Sequence, residues 1–202
     1  MRKPLYLIAI LAACASLAGA ANADDTKPAA PSAADQKAMM DAWMKYATPG
    51  ETHKKMAAME GSWTAKVSQW MAPGAPAEES TGTAEFKMIL GGRYMTQSFS
   101  GSMMGQPFNG FGVSGYDNAK KTTQTAWMDT FGTGMLLMTG NWDADGSLTE
   151  TGTMDDFMTG KPTTMKGRMQ MIDGDHMRYE MWMSGPDGKM FKDLEILYTR
   201  KK

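Results

Sequence analysis

The sequence predicts a mainly β fold: an antiparallel up-and-down barrel of about ten strands, preceded by two short N-terminal α-helices. Three observations carry this. From Gly61 onward the apolar period is two, and it stays two. The apolar runs are separated by short turn-rich gaps, among them the hairpin signals Asp145-Gly146, Asp173-Gly174 and Asp187-Gly188. Such gaps leave no room for crossover helices, so neighbouring strands run antiparallel, and a long meander closes to remove its exposed edges.

The chain opens as an export signal. Met1-Arg2-Lys3 is a basic start, Leu5 to Leu17 is apolar, and Ala21-Asn22-Ala23 is a small-residue cleavage site. The apolar run is too short to span a bilayer. Cleavage after Ala23 releases a periplasmic or secreted bacterial protein. Leu11-Ala12-Ala13-Cys14 is similar to a lipobox and gives the alternative, a lipid anchor at Cys14. Residues 24–34 are a Pro/Ala/Ser linker expected to be disordered. Residues 35–60 carry the helices. Ala34 to Ala47 has helical spacing, with Met39, Met40, Trp43, Met44 and Ala47 on one side, and Pro49-Gly50 breaks it. Thr52 to Met59 is the second helix, with Thr48 or Thr52 as its cap. Residues 61–202 form the barrel, one domain with the helices. Its strands are expected at 62–71, 80–90, 92–100, 106–116, 121–129, 134–142, 147–155, 163–172, 175–184 and 190–199.

Composition excludes several functions. Removing the signal takes Arg2 and Lys3 away, leaving 19 Lys and Arg against 22 Asp and Glu, a formal net charge of −3. That balance gives no attraction to nucleic acid or anionic lipid. Cys14 is the only cysteine, so the released form has no disulfide, thiol nucleophile or thiolate metal site. Methionine is abundant, 23 residues in all, and stands where aliphatic residues usually fill a core. The functional reading of that surplus is a soft-metal or oxidant buffer, with Met39, Met40, Met44, Met103 and Met104 as candidates.

Chemistry-bearing residues concentrate between Leu90 and Gly134. Gly110-Phe111-Gly112-Val113-Ser114-Gly115 matches a dinucleotide fingerprint, but it lies in a strand-like run and opens no helix, so nucleotide binding is not expected. Its glycines are read as barrel bends. Asn141-x-Asp143-x-Asp145-Gly146 resembles half a calcium loop; with Gly152 at the twelfth position, it is read as a hairpin. His53 and His176 are too isolated for a metal site, and His176 reads as a surface residue. His53 is read as a helix residue bonded to the barrel rim, or as half of an acid–base pair with Asp129. Trp127 and Asp129 share one strand face. If that face is inward, an indole and a carboxylate line the lumen, with Arg93 as the ion-pair partner of Asp129. Arg93, Tyr116, Trp127, Asp129 and His53 are therefore the candidate binding residues; none is assigned as catalytic, and no metal or cofactor is expected.

The same block carries a family resemblance. Leu90-Gly91-Gly92-Arg93-Tyr94, Met104-Gly105-Gln106-Pro107-Phe108-x-Gly110, Gly115-Tyr116-Asp117-Asn118 and Trp127-x-Asp129-x-x-x-Thr133 resemble the bacterial domain of unknown function 1579 family. So do His53, Met59-Glu60-Gly61-Ser62-Trp63 and Tyr198-Thr199-Arg200, which extends the likeness from His53 to Arg200. The resemblance implies a calycin-like, lipocalin-like barrel in which Arg200 covers Trp63 in a structural stack. Haem-binding relatives carry a histidine near the chain end; no histidine follows His176 here. The expected function is binding of a small apolar or amphipathic molecule in the barrel. The alternatives are a hydrolase or isomerase using His53 or Asp129 with Arg93, and the methionine buffer.

Overall fold

The computed structural model describes residues 30–156, 159–185 and 187–202. The expected export signal, with Cys14, and the expected linker as far as residue 29 lie outside the described residues. Ten strands follow one another: β1 (Gly61–Gln69), β2 (Glu78–Ile89), β3 (Tyr94–Met103), β4 (Gln106–Asp117), β5 (Thr122–Asp129), β6 (Leu136–Trp142), β7 (Leu148–Asp155), β8 (Pro162–Met171), β9 (His176–Ser184) and β10 (Met190–Arg200). Each pairs antiparallel with its chain neighbour, and β1 pairs with β10, so the sheet is a closed up-and-down barrel. The period-two reading located every strand. Gly146 and Gly188 take the left-handed conformation their hairpins need, at φ 82° and 76°. The β8–β9 link, residues 172–175, turns without a left-handed Gly174.

The N-terminal helical stretch comes in two pieces, α1 (Ala33–Ala47) and α2 (Glu51–Ala57), broken at Pro49-Gly50. Met1–Met40 and Asp41–Lys202 are separate compact units. In the first, Ser32 and Asp35 close the opening turn of α1: each backbone N–H donates to the other's side chain. Among the α1 residues none is buried, and Met39, Met40, Trp43 and Met44 are exposed. The predicted threonine caps of α2 are replaced by Gly50, whose N–H donates to His53 Nδ1 at 3.0 Å. Thr48 instead donates its hydroxyl back to the Met44 carbonyl.

Register sets the two faces. Buried Trp63, Ala65 and Val67 alternate along β1, and their partners Ala84, Gly82, Tyr198 and Ile196 continue the inward set. One end of the barrel is plugged. Met56 of α2, with Met59, packs with Trp63, Phe86, Met177 and Tyr198, all nearly inaccessible, and His53 of α2 is buried against Tyr116. The Trp63 indole N–H donates to the Met59 carbonyl at 3.0 Å. Arg200 lies 4.1 Å from the Trp63 ring centroid and donates to the carbonyls of Ala58, Glu60 and Gly174. Gly61 is required beneath it: φ is 131°, and a Cβ would stand 2.8 Å from the Arg200 guanidinium. Methionine fills the core as its abundance predicted, at Met56, Met59, Met95, Met138, Met165 and Met177.

Candidate functional site

The sequence-derived candidates divide between the two ends of the barrel. Arg93 precedes β3 and His53 belongs to α2, both at the plugged end, where Tyr116 ends the inward row of β4. Trp127 and Asp129 close β5 at the opposite end, since Asp129 pairs with Gly110 and Tyr94 with Gly115. The expected Arg93–Asp129 ion pair and His53–Asp129 acid–base pair therefore do not form. Arg93 is exposed and donates to the carbonyls of Leu90 and Gly91 in its own turn.

At the plugged end, His53, Arg93 and Tyr116 border a cleft of about 620 Å³ that runs over the outer faces of β4 to β6 beside Tyr46 and Ala47. Asn118 holds that segment by donating its amide to the Tyr46 and Thr48 carbonyls. The His53 ring meets the Tyr116 ring edge-on at 5.9 Å between centroids. Burial, and then the Arg93 charge, lower the His53 pKa against an opposing contact with the Tyr116 backbone. With Nδ1 accepting from Gly50, the neutral ring carries its proton on Nε2. His53 is thus engaged in capping α2, and among the described residues no carboxylate bonds to it that would orient it as a base.

At the other end, Trp127 and Asp129 face inward together. The indole N–H donates to Asp129 Oδ2 at 3.0 Å, and the Phe131 N–H donates to Oδ1 at 2.9 Å. The Trp127 ring lies flat against the β4 wall, so Gly110 and Gly112 make space for it; a Cβ on Gly112 would stand 3.0 Å from the ring. These glycines accommodate an aromatic side chain as well as the coiling of the strand. Leu136, Met138 and Met165 form a second apolar cluster here, with Trp127, Met181 and Met183 packed against it and partly exposed.

Between the ends the lumen carries a polar layer that the sequence reading missed. Glu150 pairs across the sheet with Gly140 and Gly167, in phase with inward Leu148 and Gly152. The Thr125 hydroxyl donates to both of its oxygens, at 2.9 and 3.1 Å, so Ser114, 2.8 Å from Thr125, donates to Thr125. Burial drives the Glu150 carboxyl up to about 7, against the Thr125 hydrogen bond. Asp193 occupies an irregularity in β10, where the register with β9 shifts between Lys192 and Leu194. The extra residue puts Asp193 and Leu194 on the same inward side. Burial raises Asp193 to about 6. Burial raises the Tyr179 phenol, followed by the electrostatic influence of Glu150, Tyr198 and Asp193. Tyr198, raised likewise by burial, accepts from the Gln97 amide at 3.3 Å.

Phase would have found Glu150, because it alternates in step with Leu148. Asp193 was not recoverable that way. Counting back by twos from Tyr198, Ile196 and Leu194 sends Lys192 inward and Asp193 outward, and the bulge reverses both. Asp145, from the half-calcium loop, has its carboxylate committed to Ser147 in the β6–β7 hairpin and to Arg168 of β8. His176 is on the surface beside Asp173.

Solved structures that share this fold include the following two. Rv2717c from M. tuberculosis superposes with a TM-score of 0.58 at 15% identity, covering 77% of this chain and 100% of that one. The S-type phycobiliprotein lyase CPES from Guillardia theta does so with a TM-score of 0.55 at 11% identity, covering 79% of this chain and 97% of that one. No protein of curated function matches the sequence. The model of the family described as "Protein of unknown function (DUF1579)" matches residues 48–200, from the helix break to the last strand, and the chain belongs to that family.

Proposed function

We propose that this protein is an exported, calycin-like binding module whose lumen takes a small apolar or amphipathic ligand through the end lined by Trp127 and Asp129. The observation that carries this reading is the asymmetry of the two ends. One is sealed by α2, with Met56, Met59, Trp63 and Tyr198 almost inaccessible. The other keeps Trp127, Met181 and Met183 partly exposed around an inward wall. Thioether and indole side chains adapt to varied apolar shapes. A ten-stranded barrel is also wider than the eight-stranded barrels that just hold a small ligand. The Arg200–Trp63 stack and the Gly61-Ser62-Trp63 start support the calycin-like assignment. Export and release after Ala23 follow from the basic start, apolar run and small-residue site.

Titration with Nile red, an apolar fluorophore, tests the reading. Saturable enhancement with one dye per chain, lost when Ser114→Phe fills the middle of the lumen in a protein that still folds, is the expected result. Dye that never saturates, or that binds the Ser114→Phe protein equally well, refutes lumen binding.

A further inference from the structure

We propose that the lumen selects ligands whose apolar body carries a protonated amine, with Asp193 as the counter-ion and Glu150 as a second acceptor. This deepens the lumen-binding reading and rests on it. The first observation is the bulge in β10. It turns inward a carboxylate that strict alternation would have left on the surface. Asp193 is only 9% exposed, and its Oδ1 has no hydrogen-bond partner among the described residues. An unpaired buried acceptor is costly, and a bulge that creates one is a device for aiming a side chain.

The second observation is the sign of the charges. Glu150 faces the middle of the lumen, and Asp129 faces inward at its open end. The basic residues of the neighbouring strands alternate outward. Arg168 bonds Asp145, Arg178 bonds Gln170, and Lys192 bonds Glu180 and Glu195. Arg200 is held over Trp63 at the plugged end by three carbonyls. Among the described residues, then, the lumen carries carboxylates and no basic partner for them. The rest of its wall is apolar or hydroxylic: Met169, Met181, Leu194, Tyr179, Thr125 and Ser114. An apolar wall that carries carboxylates without a basic partner complements an amphipathic cation. Burial raises both carboxyl groups, so with no partner the folded protein favours their neutral forms, and a bound cation offsets the penalty on the charged ones.

Three probes with one apolar body and different heads test this: 1-naphthylmethylamine, 1-naphthylmethanol and 1-naphthylacetate, titrated calorimetrically into the full chain near neutral pH. The amine should bind at least about tenfold tighter than the alcohol, with the acetate weakest. Asp193→Asn should erase the amine's advantage over the alcohol, and Glu150→Gln should reduce it. If the alcohol or acetate matches the amine on the unaltered protein, the head-group inference is overturned, whatever the variants do. If Asp193→Asn folds and keeps the full amine preference, Asp193 is not the counter-ion. Nile red binding without amine preference sinks this inference alone; absence of Nile red binding sinks the lumen reading beneath it.

Discussion

Replacing Glu150 with Gln should stabilise the protein by an amount that grows with pH. Burial raises the Glu150 carboxyl from 4.5 to about 7. Its folded-state pKa is therefore above the unfolded value, and the native state holds a proton that the unfolded chain releases. The corresponding stability is fully present below pH 4.5 and is lost as pH rises through about 7. At about 1.4 kcal/mol per pH unit, the loss amounts to about 3 kcal/mol above neutrality. Gln keeps an amide oxygen for the Thr125 hydroxyl and does not ionise. Urea unfolding of both proteins across acid to mildly alkaline pH, with linear extrapolation, measures the difference. It should be small at about pH 4 and approach about 3 kcal/mol at about pH 8. A difference that stays constant with pH, or shrinks as pH rises, would refute the inward, desolvated placement of Glu150.

Asp193→Asn should show the same sign in a more acidic window, between 3.8 and about 6, also followed by urea unfolding. His53 runs the other way. Its lowered pKa makes the neutral ring the stable form, so its contribution is present above pH 6.5 and lost as pH falls. His53→Ala should remove that acid dependence and cost about 1 kcal/mol through the α2 cap, read from thermal unfolding at about pH 5 and 8. Arg200→Ala should destabilise by about 3 kcal/mol in denaturant titrations, combining the lost stack with three orphaned carbonyls; an unchanged midpoint would contradict a structural role. Gly110→Ala places a methyl inside the Trp127 ring position, so the near-ultraviolet circular dichroism of the folded protein should change as the indole is displaced.

The barrel was legible because period two, hairpin dipeptides and short gaps are local signals, and they located each strand from β1 to β10. The Trp127–Asp129 pair followed from the same alternation, and the two meet through an N–H to carboxylate bond at 3.0 Å. Which residues share an end of the barrel is not a local signal. Arg93 and Asp129 looked like partners because both flank the same aromatic block, yet the β3–β4–β5 meander carries them to opposite ends. The acidic layer escaped for two different reasons. Glu150 lies among threonines, in a strand too polar to attract notice. Asp193 is turned inward by an irregularity that period-two counting assumes away. His53 drew attention as a chemically versatile residue and proves to be committed to Gly50 and Tyr116.

Native mass spectrometry of the protein purified from its own host, without denaturation, tests the central claim most directly. Lumen binding of an amphipathic cation predicts a bound organic molecule of one defined mass, carrying a basic nitrogen and released when the barrel is unfolded. A chain that always flies at its bare polypeptide mass, together with a crystal structure whose lumen is closed by its own side chains between Trp127 and Glu150, would contradict it.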